Sequence, residues 1–227
     1  MNLKNKVVVI TGSTTGLGKA LALVFLKEQA SVVINSVNKK ELEKVVKEIG
    51  TLGLAGDVTK ENDLKRLADF AVKKFGRIDI WVNNAGIWLP HKPIEETDWV
   101  RAHNLIEVNL FGTVYGSKIA LTEMRKQNSG VIINIVSTSG LEGKVNETAY
   151  CASKFAASGF TRSLRKETES TKIKVIGVYP SRMKTNLFDE SKPKNYASCM
   201  EPSYVARKIV DNLKLSKPKD EIIVKKK

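Results

Sequence analysis

Short apolar segments alternate with helical segments along this chain, and that order constrains the fold more than any other feature. The predicted strands, apolar along their length, cover residues 6–11, 32–35, 52–55, 78–82, 131–136, 174–179 and 221–224. The predicted helices cover residues 17–29, 39–49, 61–75, 99–126, 149–169 and 202–213. Strands without a polar face are buried on both sides, so the alternation predicts βαβ units. We therefore expect an α/β fold, a doubly wound parallel sheet of about seven strands flanked by helices, with residues 1–227 as a single domain.

The charge balance raises a different possibility, nucleic-acid binding. The chain has 227 residues, with 38 Lys and Arg against 24 Asp and Glu, and a formal net charge of +14. The lysines are scattered, no run of five or six occurs, and no nucleic-acid-binding motif stands out. We therefore favour solvated lysine faces and expect no nucleic acid as a partner.

Cellular context follows from what the sequence lacks. The N-terminal residues 1–6 are short and polar, which leaves no room for a signal peptide. No stretch approaches the roughly 18 apolar residues of a membrane helix, so no membrane partner is expected. Two cysteines, Cys151 and Cys199, cannot build a disulfide framework. We expect a cytoplasmic protein.

A glycine-rich segment, Gly12-x-x-x-Gly16-x-Gly18, follows the first predicted strand. Glycines there let the backbone turn tightly and approach a pyrophosphate, which then lies at the positive end of the next helix. The spacing is not the Gly-x-Gly-x-x-Gly of many dinucleotide-binding folds, and glycine-rich turns are common. By itself the segment fits an ordinary strand-to-helix turn equally well.

A second motif, Asn83-Asn84-Ala85-Gly86, ends the fourth predicted strand. In a doubly wound sheet, ligands lie across the carboxyl ends of the strands. Asparagine side chains at that position can tie neighbouring strand ends together, and the small Ala-Gly pair lets a ligand approach. The alternative is a simple turn.

The third motif joins Ser137, at the end of the fifth strand, with Tyr150 and Lys154 on the following helix. A tyrosine and a lysine four residues apart share one helix face. A free phenol has a pKa near ~10, and a neighbouring ammonium group together with an oxidised nicotinamide favours the phenolate. The tyrosine could then exchange a proton with an alcohol or carbonyl oxygen that the serine also bonds. The alternative is a surface Tyr–Lys pair and an unrelated serine.

The three motifs occur in order at successive strand ends, and together they resemble the short-chain dehydrogenase/reductase family. The resemblance rests on the glycine-rich segment, Asp57-Val58, Asn83-Asn84-Ala85-Gly86, Val108-Asn109-Leu110, Ser137 and Tyr150-x-x-x-Lys154. It runs from about residue 4 to 185 and is strongest to ketoreductases of the 3-oxoacyl-carrier-protein reductase type. It implies a Rossmann fold and hydride transfer between a nicotinamide dinucleotide and a carbonyl or alcohol.

The resemblance implies a role for each catalytic residue. Tyr150 would be the acid/base, and Lys154 would lower its pKa and hold the nicotinamide ribose. Ser137 would orient the substrate carbonyl, and Asn109, within the long helix, would hold a water that relays protons to Lys154. The implied cofactor-binding residues are Gly12, Ser13, Thr14, Thr15, Gly16, Leu17, Gly18, Asn35, Ser36, Asp57, Val58, Asn84, Ala85, Gly86, Tyr150, Lys154, Pro180, Ser181, Met183 and Thr185.

Cofactor choice is a question of charge at the end of the second strand. An acidic residue there accepts hydrogen bonds from the adenosine ribose and repels a 2′-phosphate. Here the segment is Asn35-Ser36-Val37-Asn38, with no acid. We therefore favour NADP(H), with Lys39 or Lys40 supplying positive charge, and keep NAD(H) as the alternative.

The sequence departs from the family pattern near its C-terminal end. Ser181 replaces the glycine that usually follows Pro180, and a short irregular segment, residues 186–200, would be a small substrate lid. The family usually assembles, so we expect a homodimer or homotetramer, the dimer formed by the helices that carry Asn109 and Tyr150. The alternative to an enzyme is a dinucleotide sensor or scaffold that has lost catalysis.

Other side chains are weaker candidates for the site. Possible substrate-pocket residues are Trp88, Leu89, Leu141, Glu142, Asn146 and Met183. The histidines, His91 and His103, match no metal-binding spacing, so we expect surface residues and no metal. Trp99 is expected to be structural.

Overall fold

The parallel sheet is built from seven strands. The computed structural model describes residues 1–193 and 195–226; Lys194, inside the predicted lid, and Lys227, the last residue of the predicted domain, lie outside the described residues. The strands are β1 (Val7–Ile10), β2 (Ser31–Ser36), β3 (Leu52–Ala55), β4 (Ile80–Asn83), β5 (Gly130–Ile135), β6 (Ile173–Pro180) and β7 (Glu221–Val224). All neighbours pair in parallel in the order β3-β2-β1-β4-β5-β6-β7. The predicted fold class is confirmed.

Helices connect the strands and cover both faces of the sheet. They are α1 (Gly16–Lys27), α2 (Lys39–Ile49), α3 (Glu61–Phe75), α4 (Trp99–Ile106), α5 (Gly112–Gln127), α6 (Thr148–Glu167) and α7 (Pro202–Lys214). Successive residues of a strand point to opposite faces. In β1, Val8 and Ile10 pack in the core beneath α1, α2 and α7, and Val9 packs in the core beneath α3, α5 and α6. This two-sided burial explains why the strands lack a polar face.

The predicted helix over residues 99–126 is interrupted. Its middle, Glu107–Phe111, is a π-helical turn between α4 and α5. Such turns insert one residue into a helix and are frequent at functional sites. Hydrophobic spacing does not reveal the interruption, since apolar residues continue through it. Asn109 lies within this turn and is buried.

The strand order reverses direction between β1 and β4, which creates a crevice at their carboxyl ends. β2 and β3 lie on one side of β1, and β4 to β7 follow on the other. Loops that leave β1 and β4 diverge to opposite faces of the sheet, so the backbone opens between them. The glycine-rich segment and the Asn84 motif therefore meet at this point.

The burial of the cysteines, of His103 and of Trp99 can be read directly from the structure. Cys151 and Cys199 are both buried free thiols, and His103 is exposed as expected. Trp99 is half exposed, and its structural role stays a prediction. Among the described residues, no helix is both long and apolar enough to cross a membrane, and no group of three His, Cys, Asp or Glu side chains could hold a metal.

Candidate active site

A cleft of about 880 Å³ opens across the carboxyl ends of the strands. It runs from the β2 and β3 ends, past β1 and β4, to the loops after β5 and β6. The Gly-rich segment, the Asn84-Ala85-Gly86 motif and the Ser137–Tyr150–Lys154 set all contribute to its wall. The three motifs that are separate in the sequence thus share one cavity.

The glycine-rich segment brings backbone close to backbone. Gly12 and Gly16 have positive φ angles of 58° and 51°, which side-chain-bearing residues rarely adopt. A Cβ on Gly12 would lie only 2.7 Å from the Ala85 Cα atom. No side chain caps the N-terminus of α1, and its first turn carries no acid. The positive end of α1 is therefore free to meet an anionic ligand.

Not every residue of that segment reaches the cleft. Gly12, Thr14, Thr15, Gly16 and Leu17 line it, whereas Ser13 and Gly18 do not. The Ser13 hydroxyl donates to the Ile10 carbonyl at 2.7 Å and accepts from the backbone amide of Asn35 at 3.0 Å. Gly18 packs against the carbonyl oxygen of Gly12 and the amide nitrogen of Asn84. These two residues shape the turn from beneath.

Asn84 ties β1 to β4. Its side-chain nitrogen donates to the carbonyl oxygens of Thr11 and Gly12 at 2.9 and 2.8 Å. The Thr11 hydroxyl in return accepts from the backbone amides of Asn84 and Ala85. Asn83 makes a similar link on the other side, donating to Asn134 Oδ1 at 2.8 Å. The expectation that these asparagines connect strand ends is confirmed.

The far end of the cleft is formed by Asn35, Ser36, Asp57 and Val58, with the exposed Val37 beside them. The Asn35 side chain donates to the carbonyls of Leu54 and Gly56. Asp57 accepts from the amide and the hydroxyl of Thr59 at 2.9 and 2.8 Å. The predicted adenosine-side residues therefore lie together.

An acid that the sequence analysis missed lies behind this end. The hydroxyl of Thr14 donates to Glu41 Oε2 at 3.1 Å and lies 3.4 Å from the Ser36 hydroxyl. Glu41 comes back toward the strand end because Asn38 caps α2 and accepts from the Glu41 amide. The signal was present as Asn38-x-x-Glu41, the spacing of a helix-capping pair.

Tyr150 and Lys154 project from α6 into the opposite wall, next to Ser137 after β5. The Lys154 Nζ atom lies 5.7 Å from the centre of the Tyr150 ring and donates to the Ile135 carbonyl at 3.3 Å. The Ser137 hydroxyl accepts from the Ser139 amide at 3.1 Å. The predicted catalytic set, apart from Asn109, therefore shares one wall of the cleft.

Burial controls the acid–base balance of this set. It raises the pKa of the Tyr150 phenol far above its usual range; the Ser137 hydroxyl opposes the rise and the Glu147 charge adds to it. Burial also lowers the pKa of the Lys154 ammonium to about 8. Burial removes both side chains from water and so disfavours the charged form of each. Burial thus dominates the phenol pKa. The lowering of that pKa by Lys154 together with an oxidised nicotinamide stays a prediction.

Asn109 lies behind the cleft wall instead of in it. Its side-chain oxygen accepts from the Ile87 amide at 2.9 Å, and its nitrogen donates to the Ile87 carbonyl at 2.9 Å and to Ser153 Oγ at 3.2 Å. A Cβ on Gly86 would lie 3.1 Å from Asn109 Oδ1 and 3.7 Å from Lys154 Nζ. Asn109 therefore fixes the loop that passes directly in front of Lys154.

The other end of the cleft contains a buried carboxylate that sequence analysis also missed. Glu147 lies one turn before Tyr150 and is only 7% exposed. Its Oε1 atom lies 2.8 Å from His91 Nε2 and accepts from Arg182 Nη2 at 3.3 Å, and Oε2 accepts from Ser139 Oγ at 3.3 Å. His91 is exposed, as expected, and its ring lies edge-on against Trp88, with ring centres 5.1 Å apart.

The substrate-pocket candidates divide into two groups. Trp88, Leu89 and Met183 line the cleft, together with Pro180, Ser181 and Thr185. Leu141, Glu142 and Asn146 do not, so those expectations are wrong. Leu141 packs in a small core with Val136, Ala157 and Tyr179; Glu142 and Asn146 point to solvent from a turn in which Asn146 has a φ of 60°.

The predicted lid covers only one rim of the cleft. Residues 185–190 line it, and within them Phe188 packs edge-on against Trp88 with ring centres 5.1 Å apart. The later part returns along the strand ends, where Met183 and Met200 pair in a parallel bridge. The lid is short and anchored at both ends.

The chain is similar to known dehydrogenases and reductases. The family model described as short chain dehydrogenase matches residues 6–196. The chain is 37% identical over 193 residues to the 7alpha-hydroxysteroid dehydrogenase of Escherichia coli K12, covering 82% of this chain and 74% of that protein. It is 35% identical over 199 residues to the 3-oxoacyl-[acyl-carrier-protein] reductase FabG of Thermotoga maritima, covering 84% and 79%.

A solved structure agrees over nearly the whole chain. The 3-ketoacyl-(acyl-carrier-protein) reductase of Brucella melitensis, complexed with NADH, superposes with a TM-score of 0.90 at 27% identity. The superposition covers 98% of this chain and 97% of that one. Fold and sequence comparisons therefore agree.

Proposed function

Because this chain belongs to the short-chain dehydrogenase family of oxidoreductases, we propose that it transfers a hydride between a nicotinamide dinucleotide and a small carbonyl or alcohol substrate. The observation that carries the proposal is the convergence of Ser137, Tyr150 and Lys154 on one wall of the cleft whose other wall is the glycine-rich segment. Neither an ordinary glycine-rich turn nor a surface Tyr–Lys pair accounts for both walls.

The residues of the cleft fit a dinucleotide. The close approach of Gly12 to Ala85 and the uncapped N-terminus of α1 provide a cradle for a pyrophosphate. Asn35, Ser36, Asp57 and Val58 would hold the adenosine part, and Ala85, Gly86 and Lys154 the nicotinamide ribose. Pro180, Ser181, Met183 and Thr185 would lie along the nicotinamide. When bound, the nicotinamide supplies or accepts the hydride.

The side chains of the opposite wall would manage the proton. In reduction, the Tyr150 hydroxyl donates its proton to the carbonyl oxygen, and the Ser137 hydroxyl donates a hydrogen bond to the same oxygen. The raised pKa of the phenol keeps it protonated at neutral pH, the form that reduction needs. In oxidation, the positive charge of Lys154 supports the phenolate that accepts the alcohol proton. Asn109 would keep the Ile87 loop in place and hold the predicted relay water near Lys154.

The choice between the two cofactors depends on opposing charges. The lack of an acid at Asn35 and Ser36 favours NADP(H), as predicted. The Glu41 carboxylate, 3.1 Å from the Thr14 hydroxyl, opposes a 2′-phosphate, and the Brucella relative is complexed with NADH. The preference for NADP(H) stays a prediction.

We also propose that the chain forms a homodimer through α4, α5 and α6. Phe111 and Phe155 present large apolar side chains to solvent on this face, 37% and 45% exposed. Replacing both by glutamate should convert a dimer into a monomer in analytical ultracentrifugation. A wild-type protein that sediments as a monomer would overturn this assembly.

The direct test of the function is a substrate panel. Ketones, aldehydes, acyl thioesters and secondary alcohols should be assayed with NADPH, NADH and their oxidised forms, following absorbance at the nicotinamide band. We expect turnover of at least one class of carbonyl. Tight dinucleotide binding without turnover of any class would favour the alternative of a catalytically inactive sensor.

A further inference from the structure

A second, smaller pocket adjoins the active-site cleft. Its volume is about 360 Å³, and it shares Lys144, Ser181 and Arg182 with the main cleft. The rest of its wall is formed by residues of the lid and of the C-terminal segment: Asn195, Ser198, Cys199, Met200 and Lys226. The described residues of this wall include three cations and no carboxylate. The two pockets therefore adjoin along Lys144, Ser181 and Arg182.

Three separate strand ends bring the cations together. Lys144 comes from the loop after β5, Arg182 from the loop after β6, and Lys226 from the segment after β7. Because β5, β6 and β7 are adjacent, their carboxyl ends open at the same edge. The Ser181 amide donates to the Val224 carbonyl at 2.8 Å, and the Met200 amide donates to the Arg182 carbonyl at 3.2 Å. The pocket therefore has a defined backbone frame.

The charges of the pocket are incompletely neutralised by the protein. Lys144 donates to Thr138 Oγ1 at 3.2 Å and Lys226 to the Ser198 carbonyl at 2.8 Å, both neutral acceptors. Among residues 1–193 and 195–226, no carboxylate lies within 4.0 Å of either ammonium group. Arg182 has one acidic partner, Glu147 at 3.3 Å, through a single nitrogen.

The position of Glu147 favours binding of a ligand anion on the side of Arg182 that faces away from the Glu147 carboxylate. Its carboxylate faces the main cleft and is shared with His91, so it would repel an anionic group lodged beside Tyr150. Beyond Arg182 the only charged side chains of the described wall are cations, and the remaining guanidinium N–H groups suit a carboxylate or a phosphate. Neutral and cationic groups gain nothing comparable there.

We propose that this pocket binds an anionic group, a carboxylate or a phosphate, of the substrate whose carbonyl or alcohol lies beside Tyr150. The proposal rests on the proposed function for the identity of the molecule, but not for the binding of the anion. It narrows the substrate to carbonyl or alcohol compounds with a negatively charged end.

Pairs of substrates that differ in one charge test this. A series of 3-, 4- and 5-oxo acids should be compared with their methyl esters, and dihydroxyacetone phosphate with dihydroxyacetone. We expect the wild type to show a higher kcat/KM for the charged member, and the two series distinguish carboxylate from phosphate. Lys226→Met should lower the charged-to-neutral ratio about tenfold, the loss of one charge-assisted contact, and Lys226→Arg should restore it.

A matched control is Lys172→Met, an exposed lysine before β6 at the opposite end of the sheet, which should keep the wild-type ratio. A wild type that prefers the neutral members, or a Lys226→Met ratio equal to that of Lys172→Met, would overturn the proposal. If no substrate is turned over, calorimetric titration with malonate and with inorganic phosphate tests anion binding in the pocket independently of catalysis. If Lys226→Met then binds these anions more weakly than wild type, the anion-binding role of the pocket is supported although the proposed function fails. Equal binding by variant and wild type refutes that role.

Discussion

Glu147 immediately precedes α6, three residues before Tyr150, and its negative charge adds to the rise that burial causes in the pKa of the Tyr150 phenol. The carboxylate is held in place by His91, Ser139 and Arg182, which come from three other segments. Because the charge is buried, it is poorly screened by solvent. Glu147 therefore adds to the effect of burial on how readily Tyr150 gives up its proton.

The Glu147→Gln variant should shift the pH dependence of the reaction. Removing the negative charge favours the phenolate, so the pKa of Tyr150 falls and the rising limb of alcohol oxidation moves to lower pH. The amide keeps an oxygen that can accept from His91 and Arg182. The measurement is kcat/KM for oxidation against pH, with Glu142→Gln, an exposed acid of the preceding loop, as control. A limb that stays in place or moves to higher pH would refute this role.

The Gly12→Ala variant should lose more stability than Gly50→Ala. Both glycines have positive φ, 58° and 64°, and alanine at such an angle costs about 1–2 kcal/mol. Only at Gly12 does the added Cβ approach backbone, 2.7 Å from Ala85 Cα, whereas Gly50 has nothing within 4 Å. We expect a further loss of about 1–3 kcal/mol for Gly12→Ala from this overlap. Urea denaturation of both variants measures it, and equal losses would contradict the close approach of the loop after β1 to the loop after β4.

The Glu41→Gln variant should shift cofactor selectivity toward NADPH. The amide retains an acceptor for the Thr14 hydroxyl but removes the charge that opposes a 2′-phosphate. We expect the ratio of the NADH to the NADPH dissociation constant to rise about tenfold, equivalent to roughly 1.4 kcal/mol. Fluorescence titration gives both constants. Glu48→Gln, at the far end of α2, serves as control, and an unchanged ratio in Glu41→Gln would exclude Glu41 from cofactor choice.

Lys154 should make the fold more stable at alkaline pH. Its pKa is about 8 in the fold against an ordinary value of 10.5, so between these values the unfolded chain binds more protons. The free energy of unfolding therefore rises with pH across this window. The added stability is lost again as pH falls through about 8, where Lys154 becomes protonated in the fold. We expect a rise on the order of 3 kcal/mol in wild type relative to Lys154→Met. Urea denaturation at pH 7 to 10.5 measures the difference, and a difference independent of pH would contradict the burial of this ammonium group.

Local sequence patterns were sufficient for the sheet and for the three motifs. Each strand carries its own run of apolar residues, and each motif occupies a strand end, so the topology alone brings Gly12, Asn84 and Tyr150 to one crevice. The interruption at Asn109 was missed because a π-helical turn keeps the apolar spacing of a continuous helix.

The missed acids have different explanations. Glu41 belongs to the cap of α2 and not to the end of β2, so only the capping pattern Asn38-x-x-Glu41 indicates that it returns to the strand end. Glu147 and His91 are 56 residues apart and meet only through the tertiary fold, so no spacing predicts their pair. The sequence identifies Lys154 as a neighbour of Tyr150, but it does not show how strongly burial raises the pKa of the phenol, because desolvation depends on the tertiary fold.

Replacement of Tyr150 by phenylalanine tests the central claim most directly. The variant lacks only the hydroxyl that exchanges the proton, so turnover should fall at least about 10²-fold, while fluorescence titration shows unchanged dinucleotide binding. Tyr204→Phe, on the remote helix α7, should turn over like wild type. A Tyr150→Phe variant that retains the wild-type rate would show that the phenol is not the acid/base of this site.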